Sequence, residues 1–185
     1  MKSLPKCKLT MPVLTIEPCT IDDVPAIADV AIRSYLEVYP YLWHDGGEWY
    51  LKRCFTHAVL EADLRQPNQA WFLLKEDGIA VGYLKLNITN PLDGYGQYNC
   101  LELERIYIVK SANGKGYGRQ AVEFSEAFAR QRNKDIIWLK AMDSTTNPAF
   151  YEKLGFTVCG TYRLDFELLK DDLRGMVIMM KWLKK

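Results

Sequence analysis

Between the apolar run L-E-L-E-R-I-Y-I-V (101–109) and the amphipathic stretch A-V-E-F-S-E-A-F-A-R (121–130) lies N-G-K-G-Y-G-R-Q (113–120). Three glycines alternate with larger residues where a strand feeds a helix. This constrains the fold more than any other feature, because glycine accepts positive φ and leaves neighbouring main-chain N–H groups uncovered. With the partial positive charge of a helix N-terminus, those groups form an anion site. A tight turn alone is the alternative. It accounts for one glycine better than for Gly114, Gly116 and Gly118 together.

The pattern on either side completes an α/β chain. L-T-I-E-P-C (14–19) alternates as a strand, and Thr20 with Asp23 supplies an N-cap and an N3 acid for a helix running on through Tyr39. A second helical region is expected over 47–66, in E-W-Y-L-K-R-C-F and T-H-A-V-L-E-A-D-L-R, after the turn D-G-G. The runs 70–76 and 79–88 flank Asp77-Gly78 and predict a hairpin, followed by a loop at 89–99. Strand 101–109 precedes a helix over 116–132 whose inner face carries Ala121, Val122, Phe124, Ser125, Phe128 and Ala129. Strand 135–142, a short helix 147–154 ended by Gly155, and strands 156–165 and 174–183 close the chain. The order β-α-α-β-β-β-α-β-α-β-β predicts an α/β (α+β mixed) fold with one mixed sheet.

At 185 residues, 49% hydrophobic and 25% charged, the chain can bury a core as one domain without disulfides or a structural metal. Cys7, Cys19, Cys54, Cys100 and Cys159 are odd in number and contain no C-x-x-C pair, which points to a reducing, cytoplasmic setting. His44 and His57 stand 13 residues apart with no close carboxylate or thiol, so no metal site is expected. Residues 1–100 carry a net −3 and residues 101–185 a net +4. That is too mild for nucleic-acid binding through phosphate neutralisation, but an anionic ligand on the later half is compatible with it. The start has no apolar core of a secretory signal and reads as a flexible tail over 1–13; no run approaches the roughly 18 apolar residues of a membrane span.

Three phosphate patterns compete for the glycines. A P-loop needs G-K-[S/T], and here Gly114-Lys115 is followed by Gly116. The dinucleotide pattern G-x-G-x-x-G/A is met formally by Gly116, Gly118 and Ala121, yet Asp135 begins the next strand, where the ribose-binding acid should end it. The third pattern, Q/R-x-x-G-x-G/A, is matched from Asn113 to Gly118 with Asn in the first place. This resembles the pyrophosphate loop of the GNAT family of N-acetyltransferases. The likeness extends through L-E-L-E-R-I-Y-I, R-N-K-D-I-I-W-L and F-Y-E-K-L-G-F, where it is similar to bacterial spermidine/spermine-type acetyltransferases.

The resemblance implies a single N-acetyltransferase domain over 14–185, with a mixed, mostly antiparallel sheet whose central strands splay apart between helices. It implies acetyl-CoA as cosubstrate, with Asn113, Gly114, Lys115, Gly116, Tyr117, Gly118 and Arg119 around the pyrophosphate. Lys115 and Arg119 are equally well explained as a solvated helix start. Main-chain groups of Ile106, Tyr107 and Ile108 would pair with pantetheine and polarise the acetyl oxygen. Tyr151 falls on the family's thiol-facing tyrosine, a general acid for the departing thiolate, although a buried tyrosine in a core hydrogen bond is the alternative. Asn147 either caps its helix or contacts pantetheine.

Glu102 and Glu104, two apart on a strand and so on one face with Ile106 and Ile108, are candidate bases; a salt-bridged strand end explains them equally. Acceptor choice is expected from the first helices and their loop, where Tyr35, Tyr39, Tyr41, Trp43, Asp45 and Glu48 offer aromatic faces and acids for an alkylammonium. The expected acceptor is a small primary amine, a polyamine for preference, attacked in a ternary complex. A protein or peptide amine, and a non-catalytic acyl-CoA sensor, are the alternatives. No nucleic-acid or membrane partner is expected, and a homodimer is compatible.

Overall fold

The computed structural model describes residues 13–183. The tail expected over 1–13, apart from Val13, and Cys7 lie outside the described residues. Strand β1 (Leu14–Pro18) leads into Thr20, whose N–H donates to Asp23 Oδ2 at 2.8 Å, the reciprocal cap expected there. A single 3₁₀ turn intervenes before α1 (Val24–Leu36) begins, with Pro25 in its first turn. Here Pro25 has no intrahelical N–H partner to lose.

The helical region expected over 47–66 is two helices, α2 (Glu48–Cys54) and α3 (His57–Leu64). Thr56 separates them: its extended backbone breaks the run, and its hydroxyl accepts from Val59 N–H at 3.4 Å to start α3. The remaining elements fall within two residues of the sequence expectation at each boundary. They are β2 (Gln69–Glu76), β3 (Ile79–Asn87), β4 (Cys100–Ile108), α4 (Tyr117–Gln131), β5 (Ile136–Met142), α5 (Asn147–Glu152), β6 (Thr157–Arg163) and β7 (Gly175–Trp182).

The seven strands form one sheet in the order β1-β2-β3-β4-β5-β7-β6, with β4 and β5 the parallel pair among otherwise antiparallel neighbours. Adjacent residues of β2 mark the two faces. Trp71 stacks on Tyr83 beneath α1 and α3, while Phe72 meets Phe124 and Phe128 of α4 edge-on at 4.8 and 5.5 Å. Each such ring pair contributes about 0.5–1.5 kcal/mol beyond area burial. Ala121, Val122, Ser125 and Ala129 of α4 are fully buried, as the helical spacing predicts, and small enough to let the helix lie close on the sheet.

Two irregularities shape the centre. Strands β4 and β5 pair only from Cys100↔Ile136 to Glu102↔Trp138, after which they splay. Across the other edge of β4, Lys85 faces Arg105 and Leu86 faces Leu103, so Glu104 is an extra residue in a β-bulge. The bulge resets the alternation. Glu102 and Glu104 therefore share a face with Arg105 and Tyr107, not with Ile106 and Ile108 as the unbroken period implied; Tyr107 stacks on Tyr83 at 5.4 Å, while Ile108 lies near Gly118 of α4.

Among the described residues, Cys19, Cys54, Cys100 and Cys159 are free thiols, and no helix is long and apolar enough to cross a membrane.

Candidate active site

The glycine loop is fixed by backbone conformation at two positions and by packing at a third. Gly114 and Gly116 have φ of +79° and +81°, in the left-handed region, and a Cβ on either would meet nothing within 4 Å. Glycine is needed there for its conformation, and the space beside the loop stays open. Gly118 has ordinary φ, but a Cβ would come within 3.3 Å of Phe150 Cζ, so here glycine lets α5 approach α4. The helical ladder starts with Gln120 N–H donating to Gly116 C=O at 3.1 Å. The N–H groups ahead of it are left to an outside acceptor.

Glu76, at the end of β2, anchors this loop. Its carboxylate accepts from Lys115 Nζ at 2.7 and 3.0 Å and from the Tyr117 hydroxyl at 2.5 Å. Those two donors hold Glu76 below the usual carboxylate range, and the same bond, aided by burial, pushes the Tyr117 phenol up to about 12. Lys115 is thus engaged with protein, while Asn113 and Arg119 line the open cleft in front of the loop.

That cleft, of about 520 Å³, runs from the loop to the splay between β4 and β5. Val109 N–H donates to Val81 C=O at 2.9 Å, and Gly82 lies opposite Ile108. Alternation along an antiparallel strand then turns the main-chain groups of Ile108 and Ile106 toward the splay and those of Tyr107 toward β3. Of the three residues expected to offer main chain to a ligand, Ile106 and Ile108 turn theirs toward the splay, whereas Tyr107 spends its own on β3 and lines the space with its ring.

A second cavity, of about 340 Å³, opens on the other side of the splay. Tyr39, Ile106, Tyr107, Asn147 and Tyr151 line both spaces, so the two meet there. Tyr151 is half-buried between Phe150 and Phe156, with ring distances of 5.0 and 5.7 Å. Burial raises its phenol pKa well above the ordinary value, and no protein hydrogen bond engages the hydroxyl among the described residues. Asn147 donates from Nδ2 to the Tyr39 hydroxyl at 3.3 Å; it is not a side-chain cap.

Glu102 and Glu104 line the second cavity and are held together by Asn87, whose Nδ2 donates to Glu102 at 2.7 Å and to Glu104 at 2.9 Å. Glu102 also accepts from Asn90 at 2.6 Å. Burial works to raise the Glu104 pKa, but Arg105 and Lys85 outweigh it and hold this carboxyl below its ordinary range.

Of the residues expected to meet the acceptor, Tyr35, Tyr39 and Trp43 line this cavity, with Trp43 Nε1 donating to the Tyr35 hydroxyl at 2.6 Å. Glu48 does not. It sits on the exposed first turn of α2, paired with Lys52 at 2.6 Å, because the helical register turns it outward. Tyr41 is exposed, and Asp45 spends its carboxylate on the N–H groups of Gly47 and Trp49.

Sequence reasoning missed Tyr50, Arg53, Arg105, Lys140 and Phe166, all in the wall. Phe166 comes from the β6–β7 connection, which closes over the α1–α2 connection through His44 N–H to Leu168 C=O and Lys170 N–H to Leu42 C=O, both at 2.9 Å. No local pattern announces that contact between segments so far apart in the chain.

Residues 29–156 match the acetyltransferase (GNAT) family model. The chain belongs to the GNAT family. Its domain is accordingly an acetyl-CoA-dependent acyltransferase domain. An uncharacterized N-acetyltransferase in the pepI 3′ region of Lactobacillus delbrueckii subsp. lactis is 33% identical over 109 residues, which is 58% of this chain and 63% of that relative's length. The same architecture occurs in the PaiA N-acetyltransferase from Thermoplasma acidophilum in complex with coenzyme A, with a TM-score of 0.73 at 18% identity, covering 92% of this chain and 99% of that one. A spermidine N-acetyltransferase SpeG variant from Vibrio cholerae gives a TM-score of 0.68 at 16% identity, covering 92% and 94%. These two share the fold with the GNAT chain described here.

Proposed function

We propose that this GNAT protein transfers the acetyl group of acetyl-CoA to a small primary amine by direct attack in a ternary complex. The observation that carries this reading is the meeting of two spaces at Tyr39, Ile106, Tyr107, Asn147 and Tyr151, with an open glycine loop at one end and paired carboxylates at the other. The loop fits a diphosphate: Gly114 and Gly116 leave their approach clear, and the first N–H groups of α4 are uncommitted. Asn113 is short, so the main chain and Arg119 carry most of that contact. Acetyl-CoA supplies an activated thioester when bound. The edge of β4 at Ile106 and Ile108 is free to hold an extended chain and to direct an N–H at a carbonyl oxygen.

Tyr151 keeps its proton at neutral pH and its hydroxyl has no hydrogen-bond partner among the described residues, which suits it to donate to a departing thiolate. Glu104, held ionised by Arg105 and Lys85, is a weak base; it and Glu102 receive the amine's proton through water and balance its charge. A polyamine, the acceptor expected from the sequence, finds these acids and the faces of Trp43 and Tyr50 in the cavity. It also meets Arg53, Arg105 and Lys140 on the same wall.

The test is coenzyme A release from acetyl-CoA across a panel of polyamines, aminoglycosides, amino acids and peptides. Amine-dependent release supports the reading. Tight coenzyme A binding with no release by any amine would make the protein a sensor and sink it.

A further inference from the structure

The charged groups of the second cavity are not equally occupied. Glu102 and Glu104 are already served by protein donors, from Asn87, Asn90 and Lys85 at 2.6 to 3.1 Å. The cations are less well served. Arg105 is largely buried, its side chain 13% exposed, lies over the Phe55 ring at 5.3 Å and stands with Nε 3.2 Å from Glu104; its Nη1 is enclosed with no acceptor among the described residues. A buried guanidinium N–H left unpaired is costly, and such a group commonly marks a place completed by something else. Arg53, at the same cavity, lies over Trp49 and Phe166 at 5.2 and 5.9 Å and has no carboxylate partner among the described residues. Lys140 is 3.6 Å from Glu102 and rests between Trp138 and Tyr162.

We infer that the acceptor carries a carboxylate as well as its amine: an amino acid or a short peptide with an apolar or aromatic side chain, and not a polyamine. This rests on reading the 340 Å³ cavity as the acceptor side of the reaction. The carboxylate is taken up at Arg105 with Arg53, since a guanidinium presents paired donors that match a carboxylate. The amine lies at Glu102 and Glu104, beside the splay. Trp43, Tyr50 and Phe166 receive the side chain. A cavity of this volume is at the small end for ligand sites, about 300–1,000 Å³, which suits one or two residues. A polycation, by contrast, would face three cations and two acids already bonded to protein.

The experiment compares coenzyme A release with matched acceptors: phenylalanine, phenylalanine amide, phenethylamine and spermidine. Phenylalanine is expected to exceed its amide and phenethylamine by about tenfold or more in kcat/KM. Arg105→Gln should abolish that preference mainly through the amino acid's KM, with coenzyme A binding unchanged by calorimetry. Arg53→Gln, on an exposed helix face, provides the same readout at smaller size if Arg105→Gln does not fold. Equal or better turnover of spermidine, phenethylamine or the amide overturns this inference and leaves the acetyl-transfer reading standing. Coenzyme A binding with no release by any of the wider amine panel overturns both.

Discussion

The cleft at the glycine loop draws most of its lining from residues 106–119, where the main chain is open, whereas the cavity across the splay gathers residues from between Tyr35 and Met176. The first is specified by one short stretch: two left-handed glycines, a helix start and an unpaired strand edge suffice to define it. The second exists only when a bulge in β4, the α1–α2 connection and the β6–β7 connection converge. A backbone site tolerates side-chain variation and binds a ligand common to a family. A side-chain site can be rewritten residue by residue, and on the function proposed above that is where acceptor choice resides.

Substitutions test this division. The largest effect is expected where the two spaces meet: Tyr151→Phe should lower kcat about 10²- to 10⁴-fold, the range for a lost general acid, with coenzyme A affinity unchanged by calorimetry. An unchanged kcat would leave Tyr151 as a packing residue only. Next, Gly116→Val forces a β-branched residue to φ near +81° and should cost about 1–3 kcal/mol of loop strain. The readout is weaker coenzyme A binding, about 5- to 150-fold, with the acceptor preference of residual turnover intact. A changed preference would mean that the two regions are not separable.

Glu104→Gln should act in the opposite sense, lowering kcat/KM for the amine about tenfold while coenzyme A binds normally. Because the folded protein holds Glu104 below its ordinary range, the carboxylate favours the fold above the unfolded-state pKa. That contribution is lost as pH falls through the lowered value. Thermal melts from pH about 7 down to about 3 should therefore show a weaker acid dependence in Glu104→Gln than in the parent protein. The smallest effect is expected at Glu48→Gln. It removes an exposed i,i+4 pair with Lys52, worth about 0.3–0.5 kcal/mol at most, and should leave acetyl transfer within error.

The same division governs what could be read from the sequence. The strand, loop and helix around Gly116 follow from local period and glycine spacing, so they were legible to within two residues. The division at Thr56 was legible as the boundary between E-W-Y-L-K-R-C-F and T-H-A-V-L-E-A-D-L-R, although the two read together as one helical region. The bulge at Glu104 was not legible, because L-E-L-E-R alternates without fault; the extra residue emerges only when Lys85 and Leu86 are paired across the sheet. Glu48 was misplaced for a related reason. An acid near aromatics in sequence is close to them in space only if the helix register allows it.

Arg105 stood in plain view within the strand that drew attention to its neighbours. Its significance lies in what surrounds Nη1 and in which carboxylates are already taken, and neither is a property of one segment.

The main-chain bonds that join His44 to Leu168 and Leu42 to Lys170 have a further consequence for how such an enzyme diversifies. Because backbone amides make the closure, the half-buried Leu164 and Phe166 are exchangeable without undoing it, whereas Leu169 belongs to the core. A library confined to that single connection would sample new acceptors on an unaltered acetyl-donor platform, and a lineage under changing chemical demand could take the same route.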